Sequence, residues 1–498
     1  MAGLGTRFVS ILSGRAGQLL LAMMITPVLV RLLGVSRYGE YAVMMSILGL
    51  SMIAINSGVF DGIRKYIAEG RPTYRWTENV FAFYSRVGFA LSLLGILVVL
   101  LAILTGYVDR IFGSQFRPYF YILCVLILAV QTYQIGRGTL MGLGKETYSE
   151  PFVVIHKALF GFFAVFLAWA NYGVSGVLAG YLLATVICAT GVFLFVRRSL
   201  PLSSVTDPIR TRFPRRQLLS FNGLSILLVL LMTSLYHVDI LLLQPLAGSE
   251  QTGYYKAALV VAEFLWFAPF AVQLLLLQSS SQLWATNQIR RITELASRVT
   301  RYTLLLTLLL MIGIAVLAGD FVTLYYGPEF APAVVPLLLL LPGAFGFAIV
   351  RPILAIGQGR GELRVLIAAT GVAALINLGL NIVLIPLYGM YGAAVATSIG
   401  YGSMFLLHVR SARWIGFDPL EGFEPRPIAI TAAVAGLLIF GFASVVQSPL
   451  YSLLLVPPFG FVVFVAAAIA TGAIEDSEIQ ALLRRIPIDV RRRRKVRG

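Results

Sequence analysis

The sequence predicts an all-α polytopic membrane protein, and two observations support that prediction. Hydrophobic residues make up 58% of the 498 residues and charged residues only 12%, whereas soluble domains contain about 25% charged residues. The apolar residues occur in runs of about 20, the length that crosses a bilayer core of ~30 Å. A soluble enzyme, a disordered chain and a disulfide scaffold are therefore excluded. The first apolar run is too long for the hydrophobic region of a cleaved signal peptide, so we interpret it as the first span.

The apolar runs predict about fourteen transmembrane helices. They lie at roughly 10–33, 41–60, 79–105, 118–140, 152–171, 173–196, 218–245, 254–280, 300–319, 333–357, 363–386, 388–409, 427–446 and 450–473. An even number of spans places both termini on one side of the membrane. The predicted outer loops are short, which leaves no room for a catalytic domain outside the membrane.

Basic residues orient these spans. Lys and Arg accumulate in segments that are not translocated. With the N-terminus inside, the inner segments contain 29 of the 39 Lys and Arg, and the outer loops contain only Arg31, Arg37, Arg110 and Arg117. The sequence therefore predicts a cell-membrane protein with both termini in the cytoplasm. The basic tail at 474–498 is interpreted as a topology determinant that lies on anionic lipid, and not as a nucleic-acid-binding patch.

The two halves of the sequence resemble each other at a nearly constant offset. The matched segments are 38–41 with 252–255, 112–116 with 326–330, 142–145 with 357–360, and 172–176 with 388–392. Four matches in the same order predict an internal repeat of six spans. Because six is even, both copies have the same topology, and substrates of such proteins bind between the copies.

The repeat divides the chain into five predicted segments. We call residues 1–200 the first lobe and residues 218–410 the second lobe, and a basic cytoplasmic linker at 201–217 joins them. Two additional transmembrane helices follow at 411–473, and the tail at 474–498 ends the chain. Paired six-helix lobes are typical of transporters, so the pattern favours a transporter over a structural membrane protein.

Two segments resemble polysaccharide-type flippases of the multidrug/oligosaccharidyl-lipid/polysaccharide exporter superfamily. They are VRLLGVSRYGEY at 30–41, and the stretch from Asn377 through LIPLYG at 384–389 to GAA at 392–394. The resemblance covers roughly residues 5–410. It implies a flippase that moves a lipid-linked oligosaccharide, carried on a polyprenyl phosphate or pyrophosphate, across the cytoplasmic membrane by alternating access. The product would serve cell-surface polysaccharide or glycoprotein glycan assembly.

The resemblance also implies partners and alternatives. The implied partners are the lipid-linked oligosaccharide, the bilayer and glycan-assembly enzymes, with no nucleic acid, and the protein is expected to be a monomer. A cation-coupled multidrug exporter of the same superfamily is one alternative. A membrane glycosyltransferase or polymerase is another, but it would need a large catalytic loop or an acidic cluster in a loop, and the sequence has neither. We therefore expect a transporter and not an enzyme.

Cations within the spans form a candidate site for an anionic head group. Four of them lie at a similar depth, roughly 8–10 Å from the cytoplasmic ends of their spans: Arg15, Arg86, Lys157 and Arg351. Arg137 lies at the end of its own span and is grouped with them. Arginine binds phosphate oxygens bidentately, so we expect these five to line a cavity open to the cytoplasm. The alternative is that the long side chains reach out to the lipid head groups.

Polar residues of the second lobe form a candidate cation site. Asp239, Asn377, Asn381 and Thr397 fall in the outer half of the membrane, and the two asparagines share one helix face. Their hard oxygen atoms suit a group-I cation, whereas the alternative is that the asparagines only hydrogen-bond between helices. The chain is similar here to peptidoglycan lipid flippases, which implies a sodium site that includes the carbonyl of Ala393. Asn381 departs from that subfamily, which can place an acid there, so binding should be weaker.

Glu263 is a further carboxylate within a second-lobe span, near mid-membrane. Together with Asp239 it is a candidate coupling group, because a buried carboxylate can carry a proton; the alternative is that it stays neutral and inert. Sodium and proton coupling are therefore both open. We expect no other cofactor, since the three His residues lack the spacing of metal ligands.

Overall fold

The computed structural model describes most of the chain. It gives the backbone of residues 2–72, 74–209, 213–220 and 223–474, and within these ranges the side chains from residue 17 onward except those of Ser57 and Gln278. All regular elements in these ranges are helices. The tail beyond residue 474 and the side chain of Arg15 lie outside the described residues.

Fifteen α-helices follow one another along the described chain. They are α1 (Ala2–Glu69), α2 (Trp76–Leu104), α3 (Tyr107–Ile111), α4 (Arg117–Gly142), α5 (Glu146–Ser149), α6 (Pro151–Trp169), α7 (Gly173–Val196), α8 (Arg215–Leu219), α9 (Gly223–Glu263), α10 (Phe267–Ala285), α11 (Ile289–Tyr325), α12 (Val334–Arg360), α13 (Leu363–Ile415), α14 (Pro425–Val445) and α15 (Pro449–Ala470). Short 3-10 helices lie at Ser114–Phe116, Leu202–Val205, Phe264–Trp266 and Pro328–Ala333.

Eleven helical stretches among the described residues are long and apolar enough to cross a membrane. The predicted all-α polytopic fold is thereby confirmed. Three helices, α1, α9 and α13, are each two helices joined at a kink, at Gly34, Gly248 and Gly389. A total of fourteen spans requires that the two halves of each of these three helices cross the membrane separately. That number stays a prediction.

The kinks of α1 and α9 have the same geometry. The repeat matches Gly34 (φ 72, ψ 174) with Gly248 (φ 86, ψ 172), and the two have nearly equal backbone angles. A positive φ is strained for a residue with a Cβ atom, so glycine lets the chain change direction within one residue. The helix resumes directly after Gly34, although the sequence placed residues 34–40 outside the spans.

Helix α11 begins at Ile289, well before the predicted start of its span at residue 300. Its first turns are amphipathic: Ile292 and Ala296 are buried, while Arg291, Glu294 and Arg298 are exposed. An amphipathic helix needs only one apolar face to pack against the protein. A search for long apolar runs does not detect such a segment, which explains the difference.

Helices α1 and α9 form the main contact between the two lobes. Gly39 and Gly253, which the repeat matches to each other, lie at this contact. A Cβ atom on Gly39 would lie 2.1 Å from the backbone oxygen of Ser249, and one on Gly253 would lie 2.1 Å from that of Val35. The two backbones therefore approach more closely than any residue other than glycine would allow.

The described part of the 201–217 segment packs against the first lobe. The ring of Phe213 contacts those of Trp76 and Phe83, with centroids 5.4 Å and 5.6 Å away. The hydroxyl of Tyr84 donates a hydrogen bond of 3.0 Å to the carbonyl of Leu218, the residue directly after this segment. This segment is therefore attached to α2 and is not a free tether.

The last two helices lie beside the second lobe. Helices α14 and α15 pack on each other and on α11. Leu304 and Leu308 of α11 share a buried cluster with Ile439 of α14 and Phe464 of α15. These two helices therefore extend the second lobe on the side of α11.

Candidate functional site

Arg137 lies near the end of α4 in the interior of the first lobe. Its Nη2 donates to Glu150 Oε1 at 3.2 Å, and only 16% of the arginine side chain and 10% of the glutamate side chain are exposed. The guanidinium lies 5.9 Å from the ring centroid of Phe60 and 5.8 Å from that of Tyr133. Its Nε is buried and has no hydrogen-bond partner among the described residues. One donor of this buried cation is thus unpaired among the described residues.

A small polar cavity of about 170 Å³ lies beside Arg137. His156 lines it, with Nε2 2.9 Å from Thr185 Oγ1 and the imidazole stacked 5.5 Å from the ring of Tyr133. Two further buried atoms of lining residues, Tyr133 Oη and Gln134 Oε1, lack hydrogen-bond partners in the described structure. Unpaired buried polar groups are unfavourable, so the cavity is suited to water molecules or a small anionic group.

Arg351 lies on α12 in the interior of the second lobe and is only 7% exposed. Its guanidinium lies 5.1–5.3 Å from the ring centroids of Trp266, Phe270 and Phe347. Its Nη1 donates to Gln273 Oε1 at 3.1 Å, and its Nε is buried without a partner among the described residues. Because it is enclosed by other side chains, this arginine does not reach the lipid head groups in the described conformation.

Arg137 and Arg351 occupy equivalent positions of the repeat. The offset between them is the same one that relates the segments 112–116 and 326–330 just upstream of them. Tyr133 and Phe347 are matched by this offset too, and each packs its ring on the arginine that follows one helical turn later. The sequence placed both arginines in the site but did not pair them, although the offset contained that signal.

The other predicted cations have different surroundings. Arg86 donates from Nε to the carbonyl of Val205 at 2.7 Å and from Nη2 to that of Asp207, so it binds the 201–217 segment. The ammonium of Lys157 lies 5.1 Å from the ring centroid of Phe160. Neither side chain lines the cavity beside Arg137. The structure therefore does not bring the predicted cations into one cluster around that cavity.

The predicted cation site of the second lobe does form a connected group. Thr397 Oγ1 donates to Asp239 Oδ2 at 3.1 Å, and Asn377 Nδ2 donates to Thr397 Oγ1 at 3.3 Å. The main-chain N–H of Ile240 donates to Asp239 Oδ1 at 2.8 Å. Three predicted side chains from α9 and from both halves of α13 therefore meet in one buried network.

Tyr255 completes this network and was not predicted from the sequence. Its hydroxyl donates a hydrogen bond to Asp239 Oδ2 and lies 3.0 Å from Thr397 Oγ1. The side chain is fully buried. It matches Tyr41 in the repeat, so the motif was visible in the sequence, but its contact with Asp239 depends on the kink between them at Gly248.

The remaining members of the predicted cation site lie along α13. Asn381 Nδ2 donates to the main-chain oxygen of Asn377 at 2.9 Å, and Ala393 is fully buried. The side-chain oxygens Asn377 Oδ1 and Asn381 Oδ1 are buried and have no hydrogen-bond partner among the described residues. A carboxylate, a hydroxyl and two unpaired amide oxygens are the kinds of ligand that sodium accepts, so the residues fit such an ion.

Glu263 ends α9 and is half-buried. The charged side chains around it are Lys256, Asp239 and Arg351. Glu263 therefore interacts electrostatically both with Asp239 of the candidate cation site and with Arg351, the second-lobe arginine. No group of three His, Cys, Asp or Glu side chains that could hold a metal ion occurs in the part of the chain that the structure describes.

Solved structures of other proteins share this helical architecture. The chain is similar to a solved structure of the lipid II flippase MurJ in an inward closed conformation, with a TM-score of 0.73 at 13% identity, covering 96% of this chain and 99% of that chain. It is also similar to the inward-facing conformation of a multidrug resistance MATE family transporter of the MOP superfamily. There the TM-score is 0.66 at 16% identity, covering 81% of this chain and 96% of that chain.

The family is shown by the sequence itself. Residues 5–265 match the family described as polysaccharide biosynthesis protein, and the chain belongs to that family. It is also similar to the probable low-salt glycan biosynthesis flippase Agl15 of Haloferax volcanii. The two are 22% identical over 470 residues, which cover 92% of this chain and 94% of that relative.

Proposed function

We propose that this protein is a flippase that moves a lipid-linked oligosaccharide across the cell membrane, and that it acts as a transporter and not as an enzyme. Its family and its similarity to a probable glycan biosynthesis flippase support the class of substrate. One observation carries the proposal. Each lobe contains a repeat-related buried arginine, Arg137 or Arg351, with one N–H group that has no partner among the described residues.

These arginines suit the phosphate or pyrophosphate of a polyprenyl carrier. A guanidinium binds phosphate oxygens through parallel hydrogen bonds, and such bonds are stronger in a buried site than in water. The head group would bind at the unpaired Nε of Arg137, so the ion pair between Arg137 and Glu150 could stay in place and Glu150 would not be left as an uncompensated buried charge. The aromatic rings at Tyr133 and Phe347 keep both guanidinium groups oriented.

The proposed transport cycle is alternating access between the lobes 1–200 and 218–410. Helix α1 runs from the contact at Gly39 and Gly253 to Glu69, and Arg71 just beyond its end donates to Gln217 Oε1. The lobes therefore touch on the face opposite the 201–217 segment, and the head group would enter from the face of that segment. In the orientation predicted from the basic residues, that face is the cytoplasm and both termini lie there. Glycan-assembly enzymes would supply the substrate, and the protein would work as a monomer.

Coupling to a cation is part of the proposal. Sodium would be held by Asp239, Thr397, Asn377 and Asn381, with the carbonyl of Ala393 as the ligand that the family resemblance adds. When bound, the ion would supply a positive charge beside Asp239. Proton uptake by Asp239 or Glu263 is the alternative source of coupling.

A flipping assay with matched variants tests the substrate class. The purified protein is reconstituted into liposomes that contain a fluorescent undecaprenyl-pyrophosphate-linked or dolichyl-phosphate-linked N-acetylglucosamine, and the probe that reaches the outer leaflet is measured. A hydrogen bond to a charged group contributes about 1.5–3 kcal/mol, so Arg137→Gln and Arg351→Gln should each slow flipping by about 10- to 150-fold. Arg290→Gln removes the same charge from a side chain that is 93% exposed and should have no effect.

A lysine variant and a second substrate complete the test. Arg137→Lys keeps the charge but loses the bidentate geometry, so it should retain only part of the activity. Wild-type flipping rates in both glutamine variants would contradict the proposal. A multidrug exporter, the alternative within this fold, would instead transport a lipophilic cation, and Arg137→Gln would not impair that transport.

A further inference from the structure

A separate polar pocket of about 600 Å³ lies between the kinks of α9 and α13. It is on the same face of the molecule as the contact between Gly39 and Gly253, opposite the 201–217 segment. The side chains that give it chemical character are Glu250, Gln251, Tyr254, Tyr388 and Tyr391. None of the residues in the predicted head-group or cation sites lines this pocket.

The polar groups of the pocket are held in place. Gln251 Oε1 accepts a hydrogen bond of 2.9 Å from the main-chain N–H of Met390, which joins the two kinks. The hydroxyl of Tyr254 donates to Glu250 Oε1 at 3.2 Å. Glu250 Oε2 and the side-chain NH2 group of Gln251 take no part in these two hydrogen bonds. Both residues can therefore bind a ligand without losing these contacts.

The aromatic rings of the pocket are exposed on the surface of the protein. Tyr388 is 62% exposed and Tyr391 is 41% exposed. A pyranose ring presents a face of C–H groups that packs on an aromatic ring, and its hydroxyl groups hydrogen-bond to carboxylate and amide groups at the rim. Aromatic side chains beside a few fixed polar groups are common in small-ligand sites.

The charge of the pocket restricts the kind of sugar. Among the described residues that line it, Glu250 is the charged one and none is Lys or Arg. Uronic acids and phosphate groups would be repelled, whereas neutral sugars and amino sugars would be accepted. This chemistry is the opposite of that of the arginine sites.

We infer that this pocket binds a neutral or amino-sugar residue of a glycan at the face opposite the 201–217 segment. The inference rests on the proposed function for the presence of a glycan and on the predicted orientation for the outer side of the membrane. The pocket gives the translocated glycan a contact on that side, separate from the contact of its phosphate with the arginines.

Exposed tyrosines also occur where a protein meets the membrane interface, so the inference needs a control tyrosine. The repeat supplies one. Tyr172 precedes Gly173 as Tyr388 precedes Gly389, and it is 65% exposed. In the first lobe, however, Arg37 takes the place of Gln251, since the repeat matches these two positions. The Arg37 side chain lies 3.8 Å from where a Cβ of Gly173 would be. The first-lobe copy therefore has the tyrosine without the amide.

Saturation-transfer NMR on the full chain in lipid nanodiscs tests the inference. The probes are a trimer of N-acetylglucosamine, a trimer of glucosamine and a trimer of galacturonic acid, each added as a free sugar. We expect the first two to bind and the third not to bind. Tyr388→Ala and Tyr391→Ala should each weaken binding by about tenfold, the loss expected for about 1.4 kcal/mol of stacking, while Tyr172→Ala should leave it unchanged.

A second variant checks the charge. Glu250→Gln keeps the acceptor for Tyr254 but removes the negative charge, so it should weaken binding of the glucosamine trimer several-fold and leave the N-acetylated trimer unchanged. Absence of binding by both neutral and amino-sugar probes, or equal losses in Tyr172→Ala and Tyr388→Ala, would overturn the inference. Because free sugars need no transport, such a result would leave the flipping rates of the arginine variants, and so the proposed function, untouched.

Discussion

Replacing Gly39 by alanine should drive the two lobes apart at the face where α1 meets α9. The added Cβ atom would lie 2.1 Å from the backbone oxygen of Ser249 and 2.8 Å from the backbone nitrogen of Gly253. Both are main-chain atoms, so no change of side-chain rotamer can relieve the clash. The protein must either strain both helices or separate them.

The magnitude follows from the packing. Forcing an extra methyl group into a close-packed contact costs about 1–3 kcal/mol, and each 1.4 kcal/mol changes a conformational equilibrium tenfold. The ratio of joined to separated lobes should therefore fall by about 5- to 150-fold. Alanine favours helix more than glycine does, by about 1 kcal/mol, so any loss of the joined state comes from the contact and not from the helix itself.

Distances between two spin labels, measured by double electron–electron resonance, would detect this change. Suitable label sites are Leu104 in the first lobe and Leu387 in the second, which are 77% and 68% exposed and belong to the predicted outer face. Gly39→Ala should add a population at longer distance. Gly313→Ala is the control, because a Cβ atom at Gly313 would meet nothing within 4 Å. Equal distance distributions in the two variants would refute the reasoning.

Two further predictions concern the cation site and the 201–217 segment. Sodium chloride should raise the Tm of the wild-type protein relative to choline chloride, by a stabilisation of about 2.7 kcal/mol at a sodium concentration of 100 Kd. Asp239→Asn should abolish this stabilisation. The same rise of Tm in both proteins would argue against the site. Phe213→Ala should release its segment from α2, since removing a buried phenylalanine costs about 3–5 kcal/mol. Limited proteolysis should then cut within 201–217 faster than in the wild type, whereas Leu202→Ala, at a position that is 39% exposed, should be cut at the wild-type rate.

Much of the buried polar network around Asp239 could be predicted from the sequence because depth in a membrane follows from position along a span. Asp239 and Thr397 fall at similar depths on different helices, and Asn377 and Asn381 are one helical turn apart. Polar groups at one depth within an apolar protein gain by meeting, and the structure joins Asp239 to Thr397 and Thr397 to Asn377. Tyr255 was missed because aromatic residues are common in spans and nothing in the sequence directs its hydroxyl toward Asp239.

The predicted head-group cations show what depth alone does not decide. Arg86 and Arg351 were predicted at similar depths, yet Arg86 binds carbonyl groups of the 201–217 segment and Arg351 is enclosed by aromatic rings. These helices are apolar on most sides, so their sequences do not mark which face turns toward the protein. Rotation about the helix axis is set by packing against neighbours, and that packing exists only in the folded chain.

The sequence by itself determined the membrane class, the repeat and the family resemblance, because hydropathy, charge and residue spacing depend only on the order of residues along the chain. The tertiary structure decided which residues meet across elements. Gly39 faces Gly253, and Gln251 bonds to the backbone beside Gly389, because kinks at single glycines bring together segments that are far apart in the chain. Such contacts depend on how the backbone bends at the kinks, and the type and spacing of the residues do not reveal that bend.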